Sequence, residues 1–292
     1  MAITMNGLCV KCLLNKHIDT ARTLGSEETA MAFTEDLMRL FLRDEPDNNS
    51  ALMGKWINEL YQKHFGLDPD RFREEKAFSN AFVLQRLPMI REKLEQAQDP
   101  VYTGLQYAIL GNYIDFSALG KSVSFETLDG MLEDPQGFSV DKKVYASFCA
   151  DLQKGKRLLY LTDNAGELGF DMLLAEQLQK RWPHLEITFC VRGGPAHNDA
   201  TREDAALLGL PFPVIDSGCD VGGTQISMLG EEARQALDRA DVVLAKGMGN
   251  TESMYGCSYN VYYAFLVKCP RFVQFFNKPM LTPLFLREQP QQ

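Results

Sequence analysis

Apolar residues in the first half of the chain recur at steps of three and four. Ala30, Phe33, Leu37, Leu40 and Phe41 line one helix face, and Val140, Val144, Phe148 and Leu152 line another just before residue 155. The interruptions, DEPDNNS, LDPD, QDP and EDPQG, combine Pro, Asp and Asn, which favour turns and helix starts. No strand-like run stands out there. After QKGKR the rhythm changes. Short apolar runs, LLYLTD, EITFCVR, FPVIDSG and DVVLAKG, return at intervals of roughly twenty to thirty residues. Helices are predicted between them over 167–181, 199–208 and 230–239, and YNVYYAFLV and KPMLTPLFL are candidates for further strands. Strands alternating with helices require right-handed crossovers and a parallel sheet. The pattern predicts an α/β fold: a mainly parallel, Rossmann-like sheet flanked by helices over 156–292, with an all-helical domain over 1–155.

Composition narrows the function classes. The 292 residues are 45% hydrophobic and 24% charged, as in globular proteins. With 39 acidic and 30 basic residues the net charge is −9, which argues against nucleic acid and acidic membranes as partners, since phosphate backbones are held by basic surface. A small phosphorylated metabolite needs only a local positive pocket and stays open as the partner. No run approaches the ~20 apolar residues of a membrane span, and the start MAITMNGLCV lacks a leader pattern. Seven scattered cysteines suit a reducing compartment. The expectation is a soluble, cytoplasmic protein whose oligomeric state the sequence leaves open.

In an open parallel sheet, ligands bind beyond the carboxyl ends of the strands. Here each strand ends in polar or glycine residues: Asp163-Asn164, then RGGPAHNDAT, DSGCDVGGT and KGMGNTES. Folding alone does not demand this at four strand ends. Asp163, Asn164 and Asp199 offer hard oxygen ligands suited to Mg²⁺ or Mn²⁺, with Co²⁺ and Ni²⁺ also accepted. Lys246, followed by Gly247 and Gly249, and Arg192 offer positive charge and close backbone approach for an anion. Gly166 opens the next helix, whose free N–H groups favour anions. Carboxylates for a metal beside cations for an anion imply metal-assisted chemistry on a phosphate ester.

The same residues carry structural readings. Asp163 or Asp199 is a candidate N-cap, Asn164 and Asn198 are candidate turn residues, and Lys246 a candidate snorkelling lysine. Asp216 and Asp220 suit loop shaping, and His197 reads as a loop histidine rather than a ligand. GMGNTE lacks the third glycine of a dinucleotide loop, having Glu252 there, and the second strand ends in Arg192, not an acidic residue. Ala165 breaks the Asp-x-Asp pattern of aspartyl-phosphate enzymes, and neither a G-x-S-x-G elbow nor a P-loop is present. DNAGELG loosely matches a methyl-donor glycine loop, so an S-adenosylmethionine-dependent carboxyl methyltransferase is the second reading. A non-catalytic phosphometabolite-binding protein is the third.

TDNAGELGFD, RGGPAHNDAT and KGMGNTE, in this order, resemble the signatures of the damage-control phosphatases, also known as domain of unknown function eighty-nine. GNYIDF (111–116), DSGCDVGGT and VKCP (267–270) fit too, and CVKC at 9–12 points to the archaeal and bacterial subgroup with an N-terminal Cys-x-x-Cys. The resemblance spans almost the whole chain. It implies metal-dependent phosphatases of small phosphate esters, including damaged or surplus sugar phosphates and cofactor precursors, with an α/β sheet beside a helical domain. It implies metal ligation by Asp163, Asn164 and Asp199, roles for Lys246 and Asn250, and an approach of Asn112 and Asp115 from the helical half. A human relative is proposed as a protein carboxyl methyltransferase, which sustains the second reading. Cys219 and Gly222 stand where the family usually has Ser and Pro, and His197 replaces an aliphatic residue; these changes border the substrate loop.

The expected mechanism is attack on phosphorus by a metal-activated water, with Lys246, Arg192, Gly247 and Asn250 at the phosphate. Glu167 either orients the metal or water, or simply favours the helix start. Cys9 and Cys12 make half a zinc site or a redox pair. Cys269, which the resemblance groups with them, and His17 are candidates to complete it. Plain buried thiols are the alternative. Cys149, Cys190, Cys219 and Cys257 read as packing residues.

Overall fold

A computed structural model describes residues 3–43, 48–115 and 124–288. Part of the DEPDNNS break, Phe116 of the GNYIDF motif and the end of the polar tail lie outside the described residues.

Among the described residues the sheet has six strands, β1 (Arg157–Leu161), β2 (Glu186–Val191), β3 (Val214–Asp216), β4 (Val242–Lys246), β5 (Val261–Leu266) and β6 (Pro283–Glu288), in the order β3-β2-β1-β4-β5-β6. β1 to β5 run parallel, and β6 pairs antiparallel with β5 at the edge. All six predicted runs form strands, and the fold is α/β as expected. Along β1, Leu158 and Tyr160 face one apolar layer while Leu159 and Leu161 face the other, the period-2 alternation of a strand covered on both sides.

The first half is helical: α1 (Gly7–Leu24), α2 (Glu27–Leu40), α3 (Ser50–Phe65), α4 (Arg73–Leu84), α5 (Leu87–Gln96), α6 (Pro100–Gly111), α7 (Phe125–Glu133) and α8 (Lys142–Lys154). Their starts follow the polar breaks. Asn6, Ser26, Asn49, Asp99, Ser124 and Asp141 each accept backbone N–H groups as N-caps. The second half adds α9 (Glu167–Arg181), α10 (Arg202–Leu207), α11 (Glu231–Arg239), α12 (Gly247–Met254) and α13 (Pro270–Phe276). Among the described residues none of these helices is long and apolar enough to cross a membrane.

Three apolar cores organise the molecule. Phe33, Leu37, Ile57 and Tyr61 centre a small core of α1–α3. Residues of α4–α8 join α9 and one sheet face in the largest core, and α11–α13 cover the other face. Glycine lets α6 approach α9 closely: a Cβ on Gly111 would stand 2.5 Å from the Phe170 ring. That approach delivers the following residue, Asn112, to the ends of β1 and β5, where it bonds Asp163 and Leu266 N–H.

Candidate active site

β1 is the switch point of the sheet: the chain winds from it through β2 to β3 on one side, then returns to place β4 on its other side. A crevice opens at the carboxyl ends of two such strands. Asp163 and Asn164 follow β1 directly. The loop after β2 folds back onto them, with Ala200 N–H donating to Asp163 O (2.7 Å), Ala165 N–H to Asn198 O (2.9 Å) and Arg192 N–H to Ala200 O (2.9 Å). These bonds bring Asp199 beside Asn164. Neither Asp163 nor Asp199 caps a helix. Gly166 precedes α9 without a side-chain cap, and Thr201 with Asp204 forms the capping box of α10.

Asp163 is held from several sides. Asn112 Nδ2 donates to Asp163 Oδ2 (2.9 Å) and Glu167 Oε2 (2.8 Å). Asn164 Nδ2 does the same at 3.0 and 2.9 Å. Two amides therefore bridge the two carboxylates and pin Oδ2, and Oδ1 lies 4.0 Å from Arg192 Nη2. Asn164 Oδ1 accepts from Asn198 Nδ2 (2.9 Å), which leaves it one lone pair on a residue that lines the crevice. Asp199 Oδ2 accepts from Arg192 Nε at 2.6 Å.

These groups form the floor of a cavity of about 320 Å³ lined by Asp163, Asn164, Asp199, Asp115 and Lys268. Its walls are Cys9, Cys12, Lys16 and His17 of α1, Ser50 and Gly54 of α3, and His197, Met248, Glu252, Cys269 and Arg271. Burial foremost, then the charges of Asp199 and Glu167, raises the Asp163 pKa well above the usual carboxylate range. Asp199 is pushed up to about 6 by burial, against the pull of Arg192. Carboxyls crowded together without water hold protons unless a cation replaces them. That surplus of negative charge, with an amide oxygen beside it, fits a hard divalent cation held by Asp163, Asn164 and Asp199.

The residues expected at the phosphate are distributed differently. Lys246 is fully buried and its three N–H bonds go to Ala108 O (2.8 Å), Glu167 Oε1 (2.5 Å) and Asp171 Oδ1 (2.6 Å), so no donor is left for a ligand. Glu167 is likewise 0% exposed. Arg192 serves Asp199, Thr162 O and Asn250 Oδ1. Asn250 Nδ2 donates to Thr162 O and Lys246 O. Gly166 packs on Ser79, which covers the start of α9. A buried cation must be neutralised by the fold itself, so Lys246, Glu167, Arg192 and Asn250 sit behind the floor rather than on it. Gly247, at φ +78°, also backs Asp163.

Lys268 takes the position expected of Lys246. Its Nζ is bound by Asp115 Oδ2 (2.5 Å) and Asn112 O (2.8 Å), and it lines the cavity next to Asp163. Burial, which lowers its pKa, is outweighed by Asp115, Asp163 and Glu167, so the net shift is upward and the ammonium stays charged. Lys268 belongs to the VKCP stretch but carried no chemical signal of its own. The α1 wall was also missed, although Cys9, Cys12, Leu13 and Lys16 fall on one helical face. His197, in the left-handed region at φ 53°, lies on that wall against Gly54. Cys9, Cys12 and Cys269 are free thiols around the same cavity. Among the described residues no group of three or more His, Cys, Asp or Glu is placed to hold a metal; the oxygen set above is completed by an amide instead.

Fold and floor together define an α/β protein with an acidic crevice at a sheet switch point. Residues 5–281 match the Damage-control phosphatase ARMT1-like domain, and the chain belongs to that family. It is 30% identical over 254 residues to a damage-control phosphatase of Archaeoglobus fulgidus, covering 85% of this chain and 86% of that protein. A damage-control phosphatase of Pyrococcus horikoshii is 31% identical over 216 residues, 73% of this chain and 72% of that protein. The crystal structure of a domain-of-unknown-function-89 family protein from Pyrococcus horikoshii matches with a TM-score of 0.80 at 27% identity, covering 98% of this chain and 99% of that one. The family resemblance carried by the motifs therefore holds.

Proposed function

We propose that the protein is a divalent-metal-dependent phosphatase that hydrolyses small phosphate monoesters, sugar phosphates or damaged or surplus phosphometabolites, within the phosphatase family to which it belongs. The observation that carries this reading is the cavity floor, where Asp163, Asn164 and Asp199 lie beside the charged Lys268. A divalent cation held by those three residues would supply Lewis acidity toward a phosphoryl oxygen and activate water for attack.

The chain's own groups do the rest. Lys268, fixed by Asp115 and the Asn112 carbonyl, presents positive charge to the equatorial phosphate oxygens, where charge accumulates during transfer. Arg192 anchors Asp199 from behind, and the two amides keep Asp163 from rotating, so the oxygens are oriented before substrate arrives. The walls from α1 and α3 enclose the ester and strengthen each of these interactions by excluding water.

The test is phosphate release from a panel of sugar and cofactor phosphates. Chelated protein is supplemented with Mg²⁺, Mn²⁺, Co²⁺ or Ni²⁺ in turn, beside Asp163→Ala. Release that needs a metal and is lost in the variant supports the proposal. No release with any metal, from folded protein, overturns it.

A further inference from the structure

Behind the cavity floor lies a charged cluster that reaches neither solvent nor cavity. Lys246, Glu167 and Asp171 are each 0% exposed, and both carboxyl groups bond the one ammonium. Burying ions is costly, and well-packed apolar side chains of similar volume often serve stability as well or better. A cluster kept at that cost needs a use besides packing.

Its connections point toward the floor. Tyr160 O–H donates to Asp171 Oδ1 at 2.7 Å, the oxygen that also accepts from Lys246. Lys246 in turn donates to Glu167 Oε1, and Glu167 Oε2 accepts the Asn112 and Asn164 amides. The remaining N–H of each amide goes to Asp163 Oδ2. An unbroken line of contacts thus runs from the core of the sheet to the carboxylate at the site. Lys246 spends two donors on this line and the third on Ala108 O, so it has none for a ligand and the cluster acts on the site through Glu167 and the amides.

We infer that Asp171 is a positioning residue: with Tyr160 it seats Lys246 under Glu167 and so sets the two amides that orient Asp163. The inference rests on the metal-dependent reading above. Carboxylates bonded directly to metal ligands commonly change affinity by ~10–100-fold when replaced; Glu167 holds that place here, and Asp171 acts two contacts further back.

The experiment is a titration with Mn²⁺ alone, followed by electron paramagnetic resonance of the free ion, on the full chain after chelation. Asp171→Asn keeps the shape of the side chain and removes its charge. Its Mn²⁺ dissociation constant is expected to rise by roughly 3–10-fold, below the range for a directly bonded carboxylate, with far-ultraviolet circular dichroism unchanged. Tyr160→Phe removes one hydroxyl and leaves Asp171 less able to stay ionised, so a smaller weakening in the same direction is expected; it decides the matter if Asp171→Asn does not fold. Combining Asp171→Asn with Glu167→Gln should weaken binding no further than the stronger single variant, because the residues act in series. Unaltered Mn²⁺ affinity in both single variants, whatever their thermal stability, overturns the inference. Tight Mn²⁺ binding by a wild type that releases no phosphate would instead overturn the phosphatase reading and leave this one standing.

Discussion

The Cα of Gly247 packs so closely on the Asp163 carboxylate that a Cβ added there would stand 2.0 Å from Oδ2. Gly247 also has φ +78°, a conformation that side chains resist. The first residue after β4 therefore determines where the residue at the end of β1 can sit.

Gly247→Ala should displace Asp163 while sparing the core, because the clash is with a side chain at the cavity floor. Misplacement of a reacting group by about 1 Å can cost ~10²-fold in rate. Phosphate release by Gly247→Ala is expected to fall by at least that factor with secondary structure retained. Gly137→Ala, where a Cβ meets nothing within 4 Å, is the control and should match wild type.

Lys246, behind the cavity floor, and Lys268, on it, should behave differently. Lys246→Met leaves Glu167 and Asp171 without their counter-charge, and breaking a buried pair in this way costs roughly 3–5 kcal/mol. Its urea midpoint should drop accordingly. Lys268→Met takes the ammonium from Asp115, but that ammonium lines the cavity, so the larger effect should be on turnover. Loss of one preorganised charge-stabilising donor costs about 10²–10³-fold in kcat. Equal kinetic losses per folded molecule in the two variants would contradict this division.

What the sequence disclosed, and what it withheld, follows from the range of the interactions. Strands and most helices were legible because apolar periodicity and capping residues act within a few positions; α9 spans 167–181 as the pattern predicts. The gathering of polar residues at strand ends was legible because parallel topology places those ends together. Which charge faces the cavity was not. Lys246 and Lys268 each end or follow a buried strand, and only the third dimension shows that Glu167 and Asp171 claim the first while Asp115 holds the second at the floor. The α1 wall was equally hidden, since a helix face turned to a cavity carries the same periodicity as one turned to a core.

Cys12 is the most accessible of the three thiols around the cavity. Alkylation of Cys12 by N-ethylmaleimide should narrow the mouth and reduce phosphate release. Cys12→Ser should resist inactivation while keeping the basal rate. Cys269 should react slowly, because burial, ahead of its other neighbours, pushes its thiol up to about 11 and leaves little thiolate at neutral pH. Mass spectrometry of the peptide containing Cys12, followed against residual activity, checks the order. Inactivation of Cys12→Ser at the wild-type rate would exclude that thiol as the point of attack.

His17 sets an acid limit on stability. It is 5% exposed, with Nδ1 2.9 Å from the Tyr61 hydroxyl. Burial first, then Lys16, His197 and Arg71, lowers its pKa from 6.5 to about 3. The folded state therefore holds a neutral ring, and below pH 6.5 the unfolded chain takes up a proton that the folded one refuses. Stability from this residue is fully present above 6.5 and is lost as pH falls toward 3, at up to ~1.4 kcal/mol per pH unit. Asp171 works in the opposite sense. Burial, against the pull of Lys246, raises it from 3.8 to about 7, so its contribution is present below 3.8 and lost as pH rises through 7. Comparing wild type with His17→Gln cancels that term, since both proteins carry Asp171. Between pH 7.5 and 4.5, urea unfolding of chelated wild type should lose roughly 2–3 kcal/mol more than the variant. Parallel curves would mean that His17 is protonated inside the fold.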